Sequence, residues 1–209
     1  LDGTLLNTLT DLADAGNRLC RKYGWPTHER QAYRYFVGNG IPKLVERLAP
    51  ADQRTPAVLE AALADFKRDY GQHLRDTTAP YPGIPEMLAK LKANGVQLAV
   101  FSNKADALAK EVVKDYFGTQ YFTIVRGQMT GVAPKPAAEG TNALLQALHA
   151  DPASTLYVGD SNVDVETAHN ANLPCCGAVW GFRTREELNA AGAEYLAENS
   201  DELYDVIMK

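Results

Sequence analysis

The stretch "TLYVGDSNVD" (residues 155–164) decides the fold. An apolar run reaches Gly159 and Asp160, and a helical pattern over 161–170 follows at once. A short apolar strand that ends on a polar residue and turns straight into a helix is the building unit of a parallel sheet. The same unit recurs on both sides. "VQLAVFS" (96–102) precedes a helix over 106–117, and "YFTIVRG" (121–127) precedes one over 137–149. "CCGAVW" (175–180) precedes a helix over 184–191, and "AEYLAE" (193–198) a last helix over 200–208. A helix over 84–93, stopped at Asn94-Gly95, feeds the first of these strands. Right-handed crossovers then give a doubly wound, parallel, Rossmann-like sheet covered on both faces.

The first third reads differently. Leu9, Leu12, Ala13, Leu19 and Tyr23 stand at helical spacing within 8–23, and Gly24 with Pro26 stops the run. "GIPKLVERLAP" (40–50) and "TPAVLEAALADFKRDYGQHL" (55–74) are further helical patterns with proline near their starts. "TTAPYPGIP" (77–85) is a linker by composition. Residues 10–80 therefore read as a small inserted all-helical cap domain, and 1–9 with 81–209 as the α/β core. An insertion after a first strand needs that strand, and "LDGTLLNTLTD" (1–11) reads as the end of one, then a turn, then a helix. The expectation is an apolar strand preceding Leu1.

Composition narrows the function classes. The 209 residues are 45% hydrophobic and 22% charged, the balance of a folded chain. A net charge of −5 excludes a broad basic face for nucleic acid, but not a few local cations for a small anion. No apolar run reaches the roughly 18 residues of a membrane span. Cys20, Cys175 and Cys176 make no disulfide framework and read as buried thiols of a cytoplasmic protein. His28, His73, His149 and His169 lack ligand spacing and read as surface or packing residues.

In open parallel sheets ligands bind beyond the carboxyl ends of the strands. Four polar points lie there: Asp2-Gly3-Thr4, Ser102-Asn103-Lys104, Lys135-Pro136, and Gly159-Asp160-Ser161 with Asp164 four residues on. Carboxylates with few other donors suit Mg2+, which takes one or two of them plus substrate phosphate. A hydroxyl and an ammonium suit the remaining phosphate oxygens.

"LDGTL" (1–5), "FSNK" (101–104), "PKP" (134–136) and "VGDSNVD" (158–164), in this order, resemble the four signature motifs of the haloacid dehalogenase-like phosphatase superfamily. In that family the first motif is Asp-x-Asp-Gly-Thr and its first Asp is the nucleophile. Leu1 matches the x and Asp2 the second Asp, so the resemblance implies a nucleophilic aspartate immediately before Leu1. It implies that Asp2 is the general acid and base, with its backbone carbonyl on the metal. Asp160 would hold Mg2+; Asp164 and Ser161 would support it from behind. Ser102 with the Asn103 backbone would bind phosphoryl oxygens, Lys135 would neutralise charge, and Thr4 would brace the first loop. Phosphate monoesters need accelerations up to about 10^21, which positioning, charge neutralisation and a covalent intermediate supply together.

"FVGNGIPKLVER" (36–47) and "WGFRTREEL" (180–188) resemble the cap and the last rim loop of phosphoglycolate phosphatases. Gly38-Asn39-Gly40 is a candidate anion nest, and Lys43 and Arg47 share a helix face. Arg47, Lys43 and Arg183 are unranked candidates for a substrate carboxylate; Trp180 and Phe182 are packing or pocket wall. The reading is a Mg2+-dependent phosphatase of small phosphate monoesters, monomeric or homodimeric. A β-phosphoglucomutase-like transferase and a non-catalytic phosphate-binding module are the alternatives. The "VGDS" pattern, rather than an acidic residue before Asp160, favours hydrolysis over transfer.

Overall fold

The computed structural model describes residues 1–209, which cluster into two units: Leu1–Leu6 with Pro80–Lys209, and Asn7–Ala79. The chain passes between them at β1 (Leu6–Asn7) and β2 (Ala79–Pro80), which pair with each other.

The unit Asn7–Ala79 holds α1 (Leu9–Tyr23), α2 (Arg30–Phe36), α3 (Ile41–Leu48) and α4 (Pro56–His73). α1 ends where Gly24, at φ 68°, takes the left-handed conformation that lets its N–H reach the Arg21 and Cys20 carbonyls. α4 begins at Thr55, whose hydroxyl accepts from the Val58 N–H, with Pro56 in the first turn. Tyr33, Phe66 and Tyr70 are fully buried, and each contributes on the order of 2 kcal/mol from apolar burial. Helix α2 was not among the sequence expectations. Its seven residues are too few to display helical periodicity, and packing of Tyr33 against Gly16 of α1 fixes it instead.

The buried acid of this unit is Asp11 in the first turn of α1. Its Oδ1 accepts from the Thr77 N–H at 2.9 Å and the Thr77 hydroxyl at 2.5 Å. Its Oδ2 accepts from the Thr78 N–H at 2.9 Å and the Thr78 hydroxyl at 2.7 Å. One side chain thus satisfies the backbone of the returning linker.

The larger unit continues with α5 (Ile84–Ala93), β3 (Leu98–Ala105), α6 (Asp106–Phe117), β4 (Phe122–Gln128) and α7 (Glu139–Leu148). It ends with β5 (Tyr157–Gly159), α8 (Asn162–Asn170), β6 (Cys175–Ala178), α9 (Arg185–Ala190), β7 (Tyr195–Ala197) and α10 (Ser200–Ile207). Pairing is parallel throughout, β3 with β4 and β5 with β6 with β7, so the α/β class is as expected. Within this unit β3-β4 and β5-β6-β7 form two parallel sheets. β6 is buried at all four positions, as the central strand of three must be. Cys175 and Cys176 sit there as buried, unbridged thiols, and Cys175 packs with Val165, Ala168, Leu173 and Leu188. β3 runs on through Ser102, Asn103 and Lys104, with irregular pairing between Phe101 and Ala105. No helix is long and apolar enough to cross a membrane.

Asp11→Ala strands two backbone N–H groups and two hydroxyls. A loss of about 2–4 kcal/mol in urea unfolding is expected, and a change below about 0.5 kcal/mol would mean that Asp11 does not hold the linker.

Candidate active site

Gly159 closes β5, and the first turn of α8 folds back over it. A Cβ at Gly159 would collide with the Asp164 side chain, so glycine permits the approach. Asp164 is the third residue of α8 and completes a capping box with Ser161. Its Oδ2 accepts from the Ser161 hydroxyl at 2.7 Å and from the N–H groups of Ser161 at 3.1 Å and Asp160 at 3.2 Å. Its Oδ1 accepts from Lys135 Nζ at 2.6 Å, and the two side chains are only 9% and 8% exposed. Burial opposes both charges, but each partner holds the other ionised. Lys135 is raised well above the ordinary lysine value, and Asp164 lies below the ordinary carboxylate value.

Asp160 occupies a tight cradle. Its Oδ1 accepts from the Thr4 hydroxyl at 2.7 Å, and its Oδ2 from the Phe182 N–H at 3.0 Å. A Cβ on Gly3 or Gly181 would strike this side chain, and Gly3 also needs glycine for its φ of 81°. Burial, with the Asp164 charge behind it, pushes the Asp160 pKa up to about 6. The segment after β6 completes the enclosure: Arg183 N–H donates to the Asp160 carbonyl at 3.2 Å, and Trp180 Nε1 donates to the Thr4 carbonyl at 3.0 Å. Phe182 is buried. Trp180–Arg183 therefore serve the site partly through backbone groups, a role that side-chain chemistry could not disclose.

The end of β3 joins the same cluster. Asn103 accepts from the Lys135 N–H at 2.9 Å and donates to the Lys135 carbonyl at 3.3 Å, so its carboxamide fixes the lysine's backbone. Ser102 is buried, and its hydroxyl accepts from the Lys104 N–H at 3.1 Å. Lys104 Nζ donates to Asp2 Oδ1 at 3.3 Å; the lysine side chain is 4% exposed and the aspartate 16%. Leu1 is buried, and its backbone lies amid the charges of Lys135, Asp2, Asp160 and Asp164. Asp2, Thr4, Ser102, Asn103, Lys135, Asp160, Ser161 and Asp164 thus all belong to one unit and are linked by hydrogen bonds or shared charge. Lys104 was quoted in "FSNK" but given no role. Its position two residues past Ser102, on the same face of a regular strand, was the signal available.

Gly38, Asn39, Lys43 and Arg47 belong to the helical unit. Arg47 donates to the carbonyls of Tyr35 at 3.1 Å and Phe36 at 2.8 Å, and to Asn39 Oδ1 at 2.9 Å. Its guanidinium therefore ties the end of α2 to the glycine loop, where Gly38 and Gly40 take φ of 113° and 84°. Lys43 pairs with Glu46 at 2.8 Å on an exposed face. Arg183 is buried beside Asp160.

No group of three or more His, Cys, Asp or Glu is poised to hold a metal. Mg2+ does not require one, since it is commonly bound through one or two carboxylates with water and substrate oxygens. Asp160 fits such a role: its donors are neutral, its carboxylate keeps further lone pairs, and glycines hem it on two sides.

A parallel α/β unit that gathers buried aspartates, lysines and a serine at its strand ends defines an enzyme of the hydrolase class. A family model for haloacid dehalogenase-like hydrolases matches residues 1–178, and the chain belongs to that family. It is 30% identical over 210 residues to the phosphoglycolate phosphatase of Chromobacterium violaceum, covering 99% of this chain and 93% of that one. It is 32% identical over 185 residues to the corresponding enzyme of Neisseria meningitidis, covering 87% and 79%. A crystal structure of a phosphoglycolate phosphatase candidate from Lactobacillus delbrueckii superposes with a TM-score of 0.93 at 27% identity, covering 99% of this chain and 95% of that one.

Asp164→Asn leaves the buried Lys135 without a counter-charge, and a loss of about 3–5 kcal/mol is expected at pH 7. The Asp164 pKa is lowered on folding, so its contribution is full above about 4 and fades as pH falls further. The gap between the unfolding curves of wild type and Asp164→Asn should narrow progressively as pH falls below about 4 and through the lowered folded-state pKa; a gap that stays constant as pH falls would deny the ion pair its role.

Proposed function

We propose that the protein is a Mg2+-dependent phosphatase of small phosphate monoesters, of the phosphoglycolate type. The observation that carries this reading is the unbroken chain of bonds Asn103–Lys135–Asp164–Asp160–Thr4, which joins the end of β3, the loop after β4, the turn after β5 and the turn at Gly3-Thr4. Phosphoryl transfer needs positioning and charge neutralisation above all, and these bonds supply a rigid frame for both. The substrate class is taken from the named relatives, which are phosphoglycolate phosphatases.

An aspartate joined to Leu1 would enter the cluster of Asp2, Lys135, Asp160 and Asp164 that surrounds the Leu1 backbone. Its carboxylate would attack phosphorus, breaking the bond to the leaving oxygen and forming an aspartyl-phosphate. Asp2 would give its proton to that leaving oxygen, then take one from the water that hydrolyses the intermediate. The Ser102 hydroxyl and Asn103 N–H would bind phosphoryl oxygens, and Lys135 would offset their charge. Asp160 and the Asp2 carbonyl would hold Mg2+, which supplies further neutralisation of the phosphoryl oxygens when bound. Asp164, with Ser161, acts on Lys135 and on the Asp160 turn rather than on substrate. From the helical unit, Gly38, Asn39 and Lys43 would select the substrate, and Arg47 would act by holding their loop in shape. Three unbridged thiols support a reducing compartment such as the cytoplasm.

The test is phosphate release by the product of the full open reading frame, with glycolate, sugar and nucleotide phosphates, with and without Mg2+. Release from small monoesters that stops on chelation is expected, with no isomerised sugar phosphate formed. Asp160→Asn should lower the Mg2+-dependent rate by more than about 100-fold while retaining the fold by circular dichroism. Full activity in that variant would remove Asp160 from the metal site, and no release from any ester would end the phosphatase reading.

A further inference from the structure

We infer that Lys104 is a positioning residue for the proton transfer at Asp2, an inference that rests on the phosphatase reading above. Lys104 is a buried ammonium, and its bond to Asp2 Oδ1 at 3.3 Å joins it to the proposed acid and base. Lysine is rarely buried without a partner, so its burial here calls for one. Its backbone is held on both sides. The Lys104 N–H donates to Ser102 Oγ at 3.1 Å, and a Cβ on the neighbouring Gly127 would collide with the Lys104 carbonyl. Gly127 is in turn fixed by its N–H bond to Asp106 Oδ1 at 2.9 Å. The stem of Lys104 therefore starts from a rigid point.

A carboxyl group can exchange a proton through either oxygen and rotates about its own axis. The Lys104 bond to Oδ1 opposes that rotation and favours proton exchange through Oδ2. As Asp2 donates, the O–H bond at Oδ2 breaks and a new one forms on the leaving oxygen. The carboxylate left behind then stands beside an ammonium that is already in place. In the second half the same oxygen recovers a proton from the attacking water. Lys104 touches neither phosphorus nor leaving group in this scheme; it acts through Asp2.

General acid assistance matters for an alkoxide leaving group and little for nitrophenolate, which departs unaided. The experiment compares p-nitrophenyl phosphate, ethyl phosphate and phosphoglycolate with the full-length protein and its Lys104→Met variant. The expected result is a fall in kcat/KM, which reports departure of the leaving group and not the later hydrolysis common to all three esters, of about 100-fold on both alkyl esters against at most about 10-fold on the aryl ester. Lys104→Arg, which keeps charge and donors, should recover part of the alkyl-ester rate. Equal losses on all three esters, or none, would overturn the inference. So would a rise in KM confined to phosphoglycolate, which would make Lys104 a contact for the substrate carboxylate. Should Lys104→Met fail to fold, the same alkyl-to-aryl ratio in Lys104→Gln, which removes the charge and keeps a polar side chain, decides, and an unchanged ratio there overturns the inference. A wild-type protein inactive on all three esters would instead sink the phosphatase reading, and this inference with it.

Discussion

The site depends on the carboxylate of Asp164, whose two oxygens hold different parts of the fold. One oxygen takes the Lys135 ammonium; the other takes three donors from Asp160 and Ser161. Burying these two charges costs several kcal/mol per ion, and only close pairing with further hydrogen bonds offsets it. Asp164 meets both conditions because Gly159 lets the helix turn approach the strand end without a Cβ between them. From this one group the constraints spread. Lys135 is fixed through its backbone by Asn103, and the Asp160 turn reaches Thr4 and the Phe182 N–H. Loops from four strand ends thus become one rigid assembly, although no two of them are close in sequence.

The electrostatics of the assembly have a definite imbalance. Lys135 pairs with Asp164 and Lys104 with Asp2, whereas Asp160 accepts from the neutral Thr4 hydroxyl and Phe182 N–H. Its raised pKa expresses the same fact, since a buried carboxylate next to another carboxylate resists ionisation. A divalent cation would remove that penalty. The charge pattern of these residues thus supports the proposed metal position beside the family motif.

Much of this was legible in the sequence because strand ends and helix starts leave local marks. The apolar run before Gly159-Asp160 and the Ser161/Asp164 spacing announce a strand followed by a capped helix, and α8 with its capping box is what forms. α6 and α5 fall where their periodicity puts them. The seven-residue α2 left no periodic trace, and it exists because Tyr33 fits over Gly16. Contacts across long separations were also silent. Nothing local to Asn103 says that its side chain will grip the Lys135 backbone, nor that the Trp180 indole will seek the Thr4 carbonyl. Arg47 read as one of several anion-binding candidates, yet its guanidinium organises the loop at Gly38–Gly40, a role set by backbone carbonyls that carry no sequence signature.

The two lysine–aspartate pairs differ in a way that matches the work proposed for them. The Lys135–Asp164 pair is short at 2.6 Å, buried on both sides, and fastened by a capping box. Such a pair resists change, as suits a group whose charge must stay constant while phosphate charge moves around it. The Lys104–Asp2 contact is longer at 3.3 Å, and its acid is the more exposed of the two partners. A group that must give up and regain a proton within each cycle cannot be locked as ionised; an ammonium at moderate distance steadies the carboxylate without forbidding its protonation. The fold therefore sets its shorter, more buried ion pair at the lysine proposed to offset phosphate charge and its longer one at the proposed proton donor.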